Sequence, residues 1–92
     1  MTIWKLYVES TTDDDVALIE IDSNCTFLEF RKKAADAFGL NWKDLLLCIK
    51  KDYNYEYNSQ TLEQMHDQDR FVIKSGATFF AVVSVNGGTF IY

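Results

Sequence analysis

The chain has 92 residues, a net charge of −5 and a pI near 4.6. This is the length of a single domain, and the 48% apolar content is enough to form one hydrophobic core without stabilisation by metals or disulfide bonds. The acidic balance argues against a nucleic-acid partner, which needs a basic field, and against an anionic membrane surface as the main partner.

The first 22 residues predict an antiparallel β-hairpin. Residues 3–9 and 16–22 each alternate between apolar and polar side chains, and the polar run 10–15 joins them as a turn. In the first strand, the residues predicted to face the core are Trp4, Leu6 and Val8, and those predicted to face outward are Ile3, Lys5 and Tyr7.

A helix is predicted after this hairpin because the spacing of apolar residues changes. Thr26 is suited to cap it, and Glu29 three residues later completes a capping box. Gly39 is predicted to end the helix, because glycine readily adopts the left-handed backbone conformation that commonly follows a helix C-terminus. The apolar face comprises Phe27, Phe30, Ala34 and Phe38, and the residues predicted to point away include Arg31 and Lys32.

The second half of the chain predicts strands around a long polar loop. Residues 45–50 form a strand, and residues 53–57 form a short edge strand. Residues 58–70 predict a loop with one or two helical turns around residues 62–66, and a last strand covers residues 77–85. The core-facing residues of the two longer strands are predicted to be Leu45, Leu47, Ile49, Phe79, Ala81 and Val83.

This order of elements predicts an α+β roll with one helix packed on a mixed sheet. The order and its spacings resemble ubiquitin across nearly the whole chain. The similar segments include Thr26-Phe27, Gly39-Leu40, Thr61-Leu62 and residues 73–79. The resemblance implies a ubiquitin-like β-grasp fold, with one main helix on a mixed four- to five-stranded sheet. Residues 1–92 are then one ubiquitin-like domain, in which 86–92 are a turn plus a short strand or the start of a linker.

Two further similarities point to particular groups of ubiquitin-like domains. Residues 72–78 resemble a segment of ELMO amino-terminal domains, and the long last loop is similar to the ubiquitin-like GTPase-binding domains of FHOD-type formins. They imply an N-terminal module of an actin-cytoskeleton regulator that serves targeting, small-GTPase contact or autoinhibition. The implied partner is a Rho- or Rac-type small GTPase or another region of the same full-length protein, with actin involved only indirectly. The implied location is cytoplasmic, at the cytoskeleton or cell cortex.

The outer face of the sheet is the predicted partner-binding surface. Ubiquitin's recognition patch has counterparts here at Cys48, Phe80 and Val82, and Lys5 and Tyr7 stand on the neighbouring strand. An exposed Phe beside Val and Cys is more apolar than a monomer needs. The alternative is that residues 89–92 fold back and cover this face. A second, basic partner surface is predicted at Arg31 and Lys32.

The second strand argues against one known mode of GTPase recognition. Its outward residues Leu18, Glu20 and Asp22 have the wrong charge for the acidic effector loop of Ras. Contact with a GTPase in the manner of a Ras-binding domain is therefore not predicted.

No catalytic, cofactor or metal site is predicted. His66 is the single histidine and stands in a polar loop, where solvent exposure is expected. Asp13 to Asp15 lack the spacing and the glycine of an EF-hand loop. Cys25 and Cys48 are expected to be free thiols in a reducing compartment, because neither has ligand spacing. No signal peptide or membrane span is predicted either.

The C-terminal residues support two interpretations. Asn86-Gly87 is a strong hairpin-turn signal, and residues 89–92 have high strand propensity, which favours a returning strand. However, Gly87-Gly88 also falls where the diglycine tail of ubiquitin falls. A ubiquitin-like modifier precursor, processed after Gly88, is therefore the alternative function.

Overall fold

A computed structural model describes residues 2–10, 15–53, 55–85 and 89–90. Its strands are β1 (Ile3–Ser10), β2 (Val16–Asp22), β3 (Leu45–Ile49), β4 (Lys51–Tyr53), β5 (Thr78–Val85) and β6 (Thr89–Phe90). Its helices are α1 (Phe27–Ala37) and α2 (Leu62–Gln68), with short 3-10 turns at Trp42–Asp44 and Tyr55–Tyr57.

The strands form a mixed sheet in the order β2-β1-β5-β3-β4, with β6 paired to β5. The β1–β5 pair is parallel, and the other pairs are antiparallel. Helix α1 lies on one face of this sheet. Between them lies an aromatic cluster of Phe27, Phe30, Tyr53 and Phe79, with ring centroids 5.0–6.1 Å apart. One main helix on a mixed sheet is the architecture that the sequence predicted.

Both helices begin at a threonine cap. The hydroxyl of Thr26 accepts from the backbone N–H of Glu29 at 3.3 Å, which is one of the two hydrogen bonds of the predicted capping box and confirms Thr26 as the cap of α1. Thr61 and Gln64 form a complete capping box at the start of α2, in the loop where one or two helical turns were expected. Gly39 follows α1 with φ of 69°, the left-handed conformation that ends the helix.

The predicted edge strand at residues 53–57 is wrong. The pairing ends at Tyr53, and Tyr55–Tyr57 form a 3-10 turn. Lys50 adopts a left-handed φ of 62°, so the chain reverses at once and Ile49 pairs with Lys51. The hairpin therefore comes earlier than the alternation of tyrosines suggested, and Tyr53 is its buried last residue.

Two sequence predictions fall partly on residues outside the described ones. Asp13 and Asp14 of the aspartate run lie outside them, as do residues 86–88 of the predicted turn and diglycine and residues 91–92 of the predicted returning strand. Within the described residues, β6 pairs antiparallel with β5, with Phe90 opposite Ser84 and Thr89 opposite Val85.

Candidate protein-interaction surface

The sheet face opposite α1, called here the outer face, carries a group of exposed apolar side chains. Alternation along β1, β2 and β5 places Tyr7, Val16, Leu18 and Phe80 on it, with exposed fractions of 37%, 57%, 48% and 43%. Tyr7 stands opposite Leu18, and Phe80 stands opposite the half-buried Cys48. Directly opposite side chains on adjacent strands are close enough to touch. These five residues are therefore called the outer-face patch.

Carboxylates and one lysine lie within and beside the patch. Glu9 stands on β1 between Val16 on one side and Phe80 on the other. Asp52 lies opposite Cys48, and Glu20 lies opposite Lys5. The patch thus contains one carboxylate, Glu9, among its apolar side chains, and Asp52 and Glu20 lie at its edges.

Cys48 adds a small, neutral side chain to the patch. Its thiol donates to the carbonyl oxygen of Phe80 at 3.5 Å. Burial raises the pKa of this thiol above its ordinary value, and the nearby charge of Asp52 raises it further. The thiol is therefore protonated at neutral pH and behaves as a small apolar group rather than as a nucleophile.

The structure exposes three of the residues predicted for the outer face and buries one. Lys5, Tyr7 and Phe80 are exposed, but Val82 is only 1% exposed. Val82 stands opposite Leu46, which is also buried, at 6% exposed. The alternation that placed Val82 on the outer face does not make it accessible, so the prediction that Val82 is exposed is wrong.

Arg31 is not on an exposed basic surface. Its side chain is 1% exposed and donates from Nη1 to the Leu45 carbonyl oxygen at 2.6 Å and from Nη2 to the Tyr53 carbonyl oxygen at 2.5 Å. The guanidinium also lies 5.1 Å from the ring centre of Phe27, one turn earlier on α1. The predicted outward position is wrong because position 31 shares the face of position 27. Lys32 is exposed, as predicted.

His66 is not simply solvated either. It is half-buried, with Nδ1 2.6 Å from the carbonyl oxygen of Ile73 and its ring edge-on to Trp4 at 5.6 Å. It thus links α2 to the segment that precedes β5. Among the described residues, no three His, Cys, Asp or Glu side chains group as metal ligands would.

This architecture is the ubiquitin-like β-grasp fold. Among solved structures, the chain is similar to the ubiquitin of Caldiarchaeum subterraneum, with a TM-score of 0.74 and 18% identity over 95% of this chain and 100% of that one. It is also similar to the N-terminal ubiquitin-like domain in the 4931431F19Rik protein, with a TM-score of 0.70 and 20% identity over 95% of this chain and 80% of that one. No protein-family model and no curated protein matches the chain.

None of the helices within the described ranges has the length and apolar content needed to span a bilayer.

Proposed function

We propose that this chain is a non-enzymatic, ubiquitin-like interaction domain that binds a protein through the outer-face patch. The observation that supports this most is the 43% exposed ring of Phe80, which sits among other apolar side chains on a face that α1 leaves uncovered. Contiguous exposed apolar groups of this kind are typical of interaction sites, and aromatic residues contribute most to binding there.

The border of the patch defines the partner's chemistry. A protein seated on Phe80 would meet Glu9 directly beside that ring, and its rim would meet Glu20 and Asp52. A partner that offers an apolar centre with lysine or arginine around it complements this arrangement, whereas an acidic rim is repelled. The proposed partners are a Rho- or Rac-type small GTPase, or another region of the same full-length protein.

The proposed context is the N-terminus of an actin-cytoskeleton regulator of formin or ELMO type. It rests on the resemblance of residues 72–78 to ELMO domains and on the long loop that contains α2. Targeting, GTPase contact and autoinhibition all need a folded binding surface and no catalytic group. The protonated thiol of Cys48 and the structural contacts of His66 agree with a binding role.

The test is a titration of the isotope-labelled domain with purified Rho- and Rac-type GTPases, each loaded with GDP or with a non-hydrolysable GTP analogue. Binding through the patch should move the amide resonances of Tyr7, Cys48 and Phe80. Replacing Phe80 with Ala should weaken binding about tenfold or more, as loss of an aromatic anchor does.

The chain offers a matched control in Phe71, which is 89% exposed and lies in the segment after α2. Phe71→Ala removes an exposed phenyl ring of the same size, yet it should leave the affinity unchanged. If both variants bind like the wild type, or if both lose binding equally, the patch is not the site. The same titration with the remaining part of the full-length protein tests the autoinhibitory partner.

A second candidate function is a ubiquitin-like modifier precursor. Gly87-Gly88 and the likeness to an archaeal ubiquitin, which covers all of that chain, support it. The pairing of β6 with β5 favours the interaction domain, because a modifier needs the residues around its diglycine in an extended arm that enters enzyme clefts.

A further inference from the structure

A groove separate from the outer-face patch lies beside α1. It is lined by Lys32, Asp36, Leu40, Asn41, Trp42 and Lys43, and its volume is about 440 Å³. Its residues come from α1 and from the segment that joins α1 to β3. It shares no residue with the outer-face patch, so it can be occupied independently.

An indole ring with two ammonium groups near it is the main feature of this groove. Nζ of Lys32 lies 6.0 Å from the centre of the Trp42 ring, and Nζ of Lys43 lies 5.8 Å from it. Attraction between a cation and the face of an aromatic ring holds both ammonium groups near the indole. Both lysines are exposed, so a ligand that reaches the ring meets two positive charges.

The floor of the groove is apolar and anchored. Leu40 and Trp42 are half-buried and pack against the hydrophobic core. The Asn41 side chain accepts from the backbone N–H of Lys43 at 3.0 Å and thereby fixes the short turn that carries the indole. An incoming aliphatic side chain would thus find a preformed apolar surface, which reduces the entropy cost of binding.

The charge of the groove contrasts with that of the chain. The groove has two lysines and one aspartate among its lining residues, although the chain as a whole carries −5. A long polyanion such as a nucleic acid would be repelled by that net charge before it reached the groove. A short acidic segment meets the local lysines and avoids most of the remaining acidic surface.

We propose that this groove binds a short acidic peptide segment of a partner protein. An aliphatic side chain of the segment packs on Trp42 and Leu40, and flanking carboxylates contact Lys32 and Lys43. The groove is thus a second docking surface, and it prefers an acidic partner. The outer-face patch, in contrast, prefers a partner with a basic rim.

The test uses the whole chain, isotope-labelled, and a synthetic peptide with one leucine between two pairs of glutamates. Binding should shift the indole N–H of Trp42 and the amides of Leu40 to Lys43, and it should weaken as salt screens the charges. A Lys32→Glu, Lys43→Glu double variant should bind the peptide about tenfold or more weakly, because both favourable charge contacts become repulsive.

The control pair Lys33→Glu, Lys74→Glu changes two exposed lysines outside the groove and makes the same change in net charge. It should retain the affinity to within about threefold, since only the screened long-range field changes. Equal loss in both double variants would mean that net charge alone governs binding and would overturn the proposal. Wild-type affinity in the Lys32→Glu, Lys43→Glu variant would also overturn it. The same holds if a peptide with glutamines in place of the glutamates, or a thymidine oligonucleotide, binds as tightly as the acidic peptide.

Discussion

Arg31 donates from Nη1 to the backbone carbonyl oxygen of Leu45 at 2.6 Å and so ties the middle of α1 to the first residue of β3. Its second nitrogen, Nη2, reaches the carbonyl oxygen of Tyr53 at the end of β4. One buried cation therefore satisfies carbonyl groups of two strands, near the edge of the sheet where β4 is the last of the described strands.

Replacing Arg31 with Met should destabilise the fold. Methionine keeps much of the length of the side chain but leaves the carbonyl groups of Leu45 and Tyr53 without this donor. Losing charged hydrogen bonds to buried groups should lower the free energy of unfolding by about 2–4 kcal/mol. Urea unfolding followed by tryptophan fluorescence measures this free energy.

Lys32→Met is the matched control and should change the free energy of unfolding by no more than about 0.5 kcal/mol, because the Lys32 side chain is exposed. Equal effects would show that the Arg31 contacts contribute little.

Truncation of Phe30 should destabilise the fold much more than truncation of Phe80. Phe30 is fully buried against Phe79, with ring centroids 5.0 Å apart, so Phe30→Ala should cost about 3–5 kcal/mol. Phe80 is 43% exposed, so Phe80→Ala should cost about 1 kcal/mol while weakening partner binding. Thermal unfolding of both variants checks this. A Phe80→Ala variant that unfolds as readily as Phe30→Ala would place this ring in the structural core and remove it as a binding anchor.

The sequence predicted the faces of the strands well and the burial of individual side chains less well. The alternation of Phe79, Phe80 and Ala81 follows directly from the period of a strand, and the structure buries and exposes them accordingly. Val82 is buried although its position faces outward, and its cross-strand neighbour Leu46 is buried as well. Burial at an outward position depends on contacts between segments that are distant along the chain, and local alternation does not encode them.

The misplacement of Arg31 and His66 has a different physical origin. Sequence patterns assign charged and polar residues to the surface, since burying them is unfavourable unless each polar atom finds a partner. Here the partners are carbonyl groups of Leu45, Tyr53 and Ile73, which are distant along the chain from the side chains that bond them. A backbone carbonyl leaves no signature in the sequence, so these contacts could not be predicted.

Stability should decline at alkaline pH. The pKa of Cys48 is raised from its ordinary 9.0 by burial and by Asp52, and burial likewise raises the pKa of Tyr53 from 10.0. The folded protein therefore holds these protons more tightly than the unfolded chain. Their stabilising contribution is complete below the unfolded pKa values and is lost as the pH rises through the folded ones.

Urea midpoints measured between about pH 7.5 and pH 10.5 should fall from about pH 9 upward. Cys48→Ala removes one titrating group and should make the first part of that fall shallower, whereas the part due to Tyr53 persists. A midpoint that is constant or rises over this range would contradict the raised pKa values.

The final prediction separates an interaction domain from a modifier at the C-terminus. In the structure, Thr89 and Phe90 pair with Val85 and Ser84, so residues after the diglycine contribute to the fold. Ending the chain at Gly88 should lower the free energy of unfolding by about 1–2 kcal/mol, the contribution of one or two strand hydrogen bonds. The amide of Phe90 should also exchange slowly with solvent in the full chain. If the chain is a modifier, the reverse is expected, because a chain ending at Gly88 is then the mature form and is no less stable.

Conjugation in cells is a second test. A modifier would yield peptides ending at Gly88 joined to a lysine, and Gly88→Ala would abolish them. We expect no such conjugates from either the wild type or Gly88→Ala, and recovery of the wild-type conjugate would decide for the modifier.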